Sequence, residues 1–276
     1  MSTVTFAMPT VLEGPTPEPP PHALLSLRGV VIDDAGTRWQ NGASIYGYPV
    51  SEPELWDPCS TGTFRSKSEG ESFPVPVFAS FVAYLPITCS AMSIGDPDEF
   101  RDRARKTLSA VESWAVERAL SQGITGVANP FFDDAAVDIL AGGAAVTPTA
   151  GLSYLEDAIG TTGRKGLLHA TPAVASQWFN HPQPDGPPHT TALGTPVAVG
   201  GGYAGGHPSG GSAAAMGQAW AYATGPVEVR HAEVEVLNIK DVLDRELNDV
   251  TFRAERVILA TWDTALQAAV LIDWTP

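Results

Sequence analysis

Residues 96–123 read DPDEFRDRARKTLSAVESWAVERALSQG and form the strongest secondary-structure pattern in the 276-residue chain. Asp96 is a favourable N-cap, Pro97 suits the first helical position, and Glu99 stands where a capping box places an acidic residue. Gly123 is a natural stop. The pattern predicts one helix over residues 97–122, about 39 Å long at ~1.5 Å per residue. Its apolar stripe is expected to consist of Phe100, Ala104, Leu108, Val111, Ala115 and Ala119.

The chain before this helix combines a proline-rich start with short β-like segments. Residues 9–25, PTVLEGPTPEPPPHALL, favour extended polyproline geometry. Apolar residues in and around that stretch favour an arm that lies on a neighbouring subunit over a disordered tail. Residues 60–73, STGTFRSKSEGESF, suit the tip of a projecting loop, and the prolines that follow suit an edge or hairpin strand.

The chain after the helix alternates helical and β patterns. A helix begins near Pro148, a buried strand occupies residues 166–170, and Thr171 caps a second short helix with Pro172 at its first position. Two β runs flank the sequence TWDT at residues 261–264. This mixture of elements predicts an α+β fold.

Composition narrows the function classes. The formal net charge of −15, with 16 Lys and Arg residues, argues against a nucleic-acid-binding surface. Charged residues make up only 17% of the chain, which is typical of a surface that partners cover. Two cysteines, Cys59 and Cys89, exclude a disulfide framework and a cysteine-rich zinc site. No apolar stretch reaches the length of a membrane span and the start lacks a signal-peptide pattern, so we expect no membrane partner and synthesis in the cytosol.

A glycine-rich stretch at residues 197–217, VAVGGGYAGGHPSGGSAAAMG, invites a functional interpretation. It lacks the lysine of a phosphate-binding loop, and no amphipathic helix follows it as a dinucleotide fingerprint requires. Ser209 and Ser212 lie near His207, which suggests a serine hydrolase, but the nucleophile elbow G-x-S-x-G is absent. A mobile loop is the simpler interpretation.

The other titratable residues form no recognisable catalytic set. His181 and His189 share a proline-rich loop and leave a metal site as an alternative, whereas His169 lies in an apolar strand and is expected to be a hydrogen-bonded core histidine. Asp133 and Asp134 are expected in a solvated turn. We therefore expect no catalytic residue, cofactor or metal, and a structural or assembly role.

The order of elements and several phrases resemble a known family. The phrases are GLLHATPAVASQWF (166–179), TALGTPVAVGGGYAGG (191–206), AYATGPVEVR (221–230) and RAERVILATWDTALQAAVLID (253–273). They are similar to phrases in capsid or head proteins of actinobacterial phages. An arm, a β-hairpin, a long isolated helix, an α/β lobe and final β runs resemble the major capsid proteins of tailed bacteriophages, with the Hong Kong 97-type fold that encapsulins share.

The resemblance implies a division of the chain into arm, loop, helix and lobes. The implied segments are an N-terminal arm (1–27), the start of a peripheral lobe (28–60), an extended loop (61–90), the spine helix with more of the peripheral lobe (91–147), an axial lobe (148–224) and C-terminal peripheral strands (225–276).

The resemblance also implies which residues contact neighbouring subunits. The expected contacts are Phe64, Lys67, Phe73, Phe78, Phe81, Gly200, Gly201, Gly202 and Tyr203. The glycines would lie near a five-fold or quasi-six-fold axis, where crowded copies require small residues and unusual backbone angles. Replacing them with alanine should then disturb assembly and spare folding. Lys67 lies where some members carry a crosslink, but no partner for it is identified and no crosslink is predicted.

The function implied is a virion shell protein, assembled in the host cytoplasm, that forms pentamers and hexamers with copies of itself and encloses double-stranded DNA without binding it specifically. Scaffold, portal and decoration proteins are candidate partners. The alternatives are an encapsulin-type compartment shell, another phage head or neck protein, and a serine hydrolase that uses Ser209 or Ser212.

Overall fold

The computed structural model describes residues 14–32, 36–46, 75–90, 97–179, 190–244 and 249–275. Three α-helices and eleven strands lie in these ranges. The helices are α1 (Pro97–Gln122), α2 (Pro148–Thr161) and α3 (Pro172–Trp178). The strands are β1 (Ala43–Ser44), β2 (Val77–Phe78), β3 (Phe81–Ser90), β4 (Asp138–Ile139), β5 (Leu167–Ala170), β6 (Val197–Val199), β7 (Gln218–Thr224), β8 (Val227–His231), β9 (Glu235–Asp244), β10 (Asp249–Trp262) and β11 (Gln267–Asp273).

The predicted long helix is confirmed with the predicted bounds. Asp98 and Glu99 lie in its first turn, where acidic side chains stabilise the helix dipole, and they pair with Arg101 and Arg103 on the exposed surface. Gly123 follows the last helical residue at φ +73°, a left-handed conformation that glycine adopts without strain. The predicted N-cap, Asp96, lies outside the described residues.

The first sheet is antiparallel and is built on β10. Strand β3 pairs along one side of β10, while β9 and β8 share the other side. Among the described residues β3 pairs only with β10, so Pro86 lies in an edge strand, as predicted. The first half of α1 covers this sheet, because Ala104 and Leu108 pack against Ala254 of β10 in one apolar cluster.

The second sheet has the strand order β4-β11-β7-β5-β6. Both short helices begin as predicted: the side chains of Thr147 and Thr171 accept hydrogen bonds from backbone N–H groups in the first turns of α2 and α3. Helix α2 packs on this sheet, where Leu155 and Ile159 join a buried cluster with Ile272 of β11.

The sheet topology distributes one predicted segment over both sheets. Residues 225–276 were expected to form C-terminal peripheral strands together, but β10 belongs to the first sheet and β11 to the second. The chain passes from the second sheet to the first at Gly225, between β7 and β8, and returns near Asp263, between β10 and β11. The two crossings lie side by side, because Asp263 N–H donates to the carbonyl of Pro226 at 3.1 Å. Hydrogen-bond pairing between β11 and β7 over seven register positions explains why β11 leaves β10.

The described part of the N-terminal segment packs on the chain's own core. Leu24 is fully buried in a 3₁₀ turn at Leu24–Ser26, and it belongs to the central cluster with Phe78 and Val116 of α1. Farther on, Val31 forms a bridge to Val229 of β8. The base of the predicted arm is therefore part of the monomer's own core.

The buried face of α1 corrects the predicted apolar stripe. Val111 is 46% exposed, whereas Glu112, Ser113, Glu117 and Ser121 are buried. The second half of the helix packs against backbone of the N-terminal segment and of the glycine-rich stretch, and those backbone N–H and C=O groups require polar partners. An apolar pattern could not reveal that face.

Candidate functional site

The structure describes only some of the predicted subunit contacts. Phe64, Lys67 and Phe73 lie outside the described residues. Phe78 is fully buried within one chain, where its side chain fills the monomer core. Phe81 is half-buried in β3.

The glycine-rich stretch divides into a clamped part and an exposed part. Gly200, Gly202 and Tyr203 are buried inside the chain, and only Gly201 among these four residues is exposed. From Ala204 onward most residues up to 217 are exposed, and Gly205 and Gly210 adopt positive φ. The three buried residues therefore pack against their own chain.

Close approach to α1, not unusual backbone angles, explains these glycines. A Cβ on Gly202 would lie 2.5 Å from the Cβ of Glu117 and 2.8 Å from the backbone nitrogen of Arg118. A Cβ on Gly200 would overlap the Glu117 carboxylate. Neither glycine has a positive φ. This close approach predicts that alanine at either position would disturb the fold of the monomer as well as assembly.

Glu117 lies at the centre of this contact. Its side chain is 1% exposed and accepts three hydrogen bonds, from the backbone N–H of Leu24, the hydroxyl of Ser113 and the backbone N–H of Gly202, each at 3.1 Å. Burial raises the pKa of this carboxyl and the hydrogen bonds lower it, with burial the larger effect. We call this arrangement the Glu117 junction.

A second polar chain fixes the far side of the clamped loop. Tyr203 O–H lies 3.0 Å from His169 Nδ1, and His169 Nε2 lies 2.9 Å from the Thr224 hydroxyl. Because Thr224 donates its hydroxyl hydrogen to the Gly225 carbonyl, it must accept from Nε2–H, and Nδ1 then accepts from Tyr203. His169 is the predicted core histidine: it is fully buried, and burial lowers its pKa to about 3.

Asp133 corrects the expectation of a solvated turn. It is 9% exposed and accepts a hydrogen bond of 2.5 Å from the Tyr222 hydroxyl. Burial raises the pKa of its carboxyl to about 6, against the opposing effects of Tyr222 and of the nearby His207. Its backbone carbonyl accepts from the N–H of Ser209 at 2.8 Å, so Asp133 holds the base of the exposed loop.

A third buried acid ties α1 to the first sheet. Arg256 Nη1 lies 2.7 Å from both carboxylate oxygens of Glu112 and 3.1 Å from His231 Nδ1. Burial raises the pKa of the Glu112 carboxyl, and the Arg256 charge opposes that shift. No periodic pattern indicates a buried role for Glu112 or Glu117; the one available signal is an acidic residue between apolar positions of a long helix.

Large apolar side chains are exposed on the first sheet. Side chains of β3 alternate, so that Val82 and Tyr84 are 50% and 64% exposed while Ala83 between them is buried. Two further examples, Val111 and Trp114, lie on the outer face of α1, and Trp114 stacks under the guanidinium of Arg118. Such side chains are candidates for contact with other chains.

The described residues offer little for chemistry. His207, Ser209 and Ser212 are exposed on the loop. Within the described ranges no three His, Cys, Asp or Glu side chains are placed to hold a metal ion. His181 and His189 lie outside those ranges. No helix in the described part of the chain is long and apolar enough to cross a bilayer.

Comparison with known proteins identifies the fold. No protein-family profile and no curated protein matches the chain. Solved structures do match: a chain of Gordonia phage Cozz at 14% identity and TM-score 0.52, covering 99% of this chain and 92% of that one. A chain of Mycobacterium phage Ogopogo matches at 14% identity and TM-score 0.55, covering 98% and 97%. A chain of the capsid of an empty GTA particle matches at 12% identity and TM-score 0.53, covering 100% and 95%.

The chain therefore has the α+β fold of phage major capsid proteins. The likeness extends over nearly the whole of both chains.

Proposed function

We propose that this protein is the major shell subunit of a tailed-phage-type particle. The observation that carries the proposal is the full-length likeness to chains of a phage and of a GTA capsid. Neither of the two chains in each comparison has a large unmatched part. In this proposal the chain assembles with copies of itself into pentamers and hexamers, in the host cytoplasm, and forms the capsid of the virion. It performs no catalysis.

Surface properties support a shell subunit. Exposed Val82 and Tyr84 on strand β3 give an apolar surface that a neighbouring copy would cover. The proposal retains Phe64, Lys67, Phe73, Phe81 and Gly201 as subunit contacts. A net charge of −15 suits a wall that encloses DNA without adhering to it. Portal, scaffold and decoration proteins are proposed partners of the assembled shell.

Negative-stain electron microscopy of the purified recombinant protein, with its mass by light scattering, tests the proposal. We expect rings of five or six subunits, or closed shells, that grow with protein concentration. A monodisperse monomer at every concentration, with no particle in the micrographs, would contradict it. DNA inside particles from the natural source distinguishes a virion from a compartment that encloses a cargo protein.

A further inference from the structure

One carboxylate joins two segments that lie far apart in sequence. Leu24 of the N-terminal segment and Gly202 of the glycine-rich loop are 93 and 85 residues from Glu117, and both donate their backbone N–H to it. We propose that Glu117 is a positioning residue that couples the N-terminal arm to this loop, so that one cannot leave α1 without loosening the other. This proposal deepens the proposed function, on which its meaning for assembly rests.

The two oxygens of the carboxylate have different tasks. Oε1 accepts from Leu24 N–H and from the Ser113 hydroxyl, while Oε2 accepts from Gly202 N–H. Ser113 in turn accepts from the backbone N–H of Leu25 at 3.2 Å. Oε1 and Ser113 therefore hold the arm, and Oε2 holds the loop.

Packing makes the carboxylate difficult to replace. The side chain is 1% exposed, and Gly200 approaches it so closely that no Cβ fits between them. A buried backbone N–H that lost this acceptor would have no hydrogen-bond partner, which would lower the free energy of unfolding. The arm and the loop therefore depend on the same carboxylate, each through a different oxygen.

A direct backbone contact brings the two segments side by side. Val199 N–H donates to the carbonyl of His22 at 2.9 Å. This bond does not involve Glu117, so it keeps the arm beside the loop when the carboxylate is altered. Displacement of one segment thus alters the surroundings of the other, and by linkage the effect must be reciprocal.

Amide hydrogen exchange of the full-length protein, resolved by mass spectrometry, tests the coupling. Glu117→Ala should accelerate exchange about tenfold both at residues 20–27 and at residues 200–204, because both N–H groups lose their acceptor. Glu117→Gln should accelerate mainly residues 200–204. The glutamine side chain has only one carbonyl oxygen, and two donors point at the Oε1 position. If the carbonyl oxygen lies there, the NH₂ group faces the N–H of Gly202, which then lacks an acceptor.

Two controls make the pattern specific. Ser113→Ala removes a partner of the arm alone, so the coupling predicts faster exchange at residues 20–27 and, to a smaller extent, at residues 200–204. Glu99→Gln, at an exposed ion pair of the same helix, should change neither segment. Uniform acceleration across the whole chain in Glu117→Gln would mean general destabilisation and would overturn the proposal. A response of one segment alone in Glu117→Ala would also overturn it.

The outcome is separable from that of the proposed function. Exchange reports on the folded chain in any oligomeric state, whereas electron microscopy reports on assembly. If the wild-type protein forms no rings or shells, the shell function fails while the coupling can still be observed. If it forms them and Glu117→Ala loosens neither segment, the coupling fails alone.

Discussion

Gly202 illustrates how a single residue can be fixed by a distant helix. A methyl group there would lie 2.5 Å from the Cβ of Glu117, and nearby backbone leaves no route for relief. We expect Gly202→Ala to destabilise the monomer by about 2–3 kcal/mol through overpacking. Urea denaturation measures the change.

Gly201 provides the matched control, because its added methyl would lie 3.4 Å from Trp114 Cδ1 on an exposed surface. Gly201→Ala should change the free energy of unfolding by less than about 0.5 kcal/mol. Equal losses for the two variants would show that close approach is not what selects glycine at position 202.

His169 makes the fold sensitive to acid. Its pKa of about 3 in the folded state lies below the ordinary 6.5, so the unfolded chain binds a proton that the folded chain rejects. The stability that neutral His169 contributes is present above pH 6.5 and is lost as the pH falls towards 3. Asp133 acts in the opposite direction: its raised pKa favours the folded state at low pH, and that contribution is lost as the pH rises through about 6.

Two variants separate these effects. His169→Gln should reduce the loss of stability between pH 6.5 and 4 by up to about 1.4 kcal/mol per pH unit, the limit for one proton. Asp133→Asn should make the acid loss steeper. Denaturant unfolding at several pH values gives both slopes. The same slope in wild type and His169→Gln would contradict a neutral, buried histidine in the folded state.

At the scale of elements, α1 has two different faces along its length. Its first half packs apolar side chains on the first sheet, while its second half uses Glu112 and Glu117 to hold backbone and an arginine. The length and ends of the helix follow from local sequence, but the direction in which each half faces follows from its partners.

The Glu112–Arg256 pair is the element-scale contact most open to test. Glu112→Ala should destabilise the fold by about 3 kcal/mol, because it leaves the Arg256 guanidinium, whose side chain is only 14% exposed, without its carboxylate. Glu99→Ala removes an exposed pair from the same helix and should cost about 0.5 kcal/mol or less. Similar losses in thermal or urea unfolding would contradict the inferred anchoring role of Glu112.

At the scale of the whole molecule, the exposed face of β3 is the surface that the proposed assembly would bury. Tyr84 is 64% exposed in the single chain, so Tyr84→Ser should leave the monomer's stability within about 0.5 kcal/mol. Light scattering should show that the Tyr84→Ser variant needs about tenfold more protein to assemble, because the interface loses a buried aromatic side chain. Tyr84→Phe, which keeps the ring, should assemble like wild type. Assembly of the serine variant at wild-type concentration would remove Tyr84 from the interface.

Sequence alone determined the features that depend on a few adjacent residues. Capping groups determine the ends of α1 and the threonine caps of α2 and α3. Proline geometry determines the edge position of Pro86, and apolar surroundings indicate the burial of His169. The order of these elements, together with several phrases that resemble those of phage capsid proteins, indicated the capsid fold.

Only the tertiary structure decided the contacts between distant segments. These contacts join residues that no local pattern relates. They include the pairing of β11 with β7, the burial of Phe78 and Asp133, and the hydrogen bonds that the N–H groups of Leu24 and Gly202 donate to Glu117. Glycine illustrates the difference. Its occurrence at position 202 is visible in the sequence, but the reason is the approach of a helix 85 residues away, because steric exclusion depends on what the fold brings near.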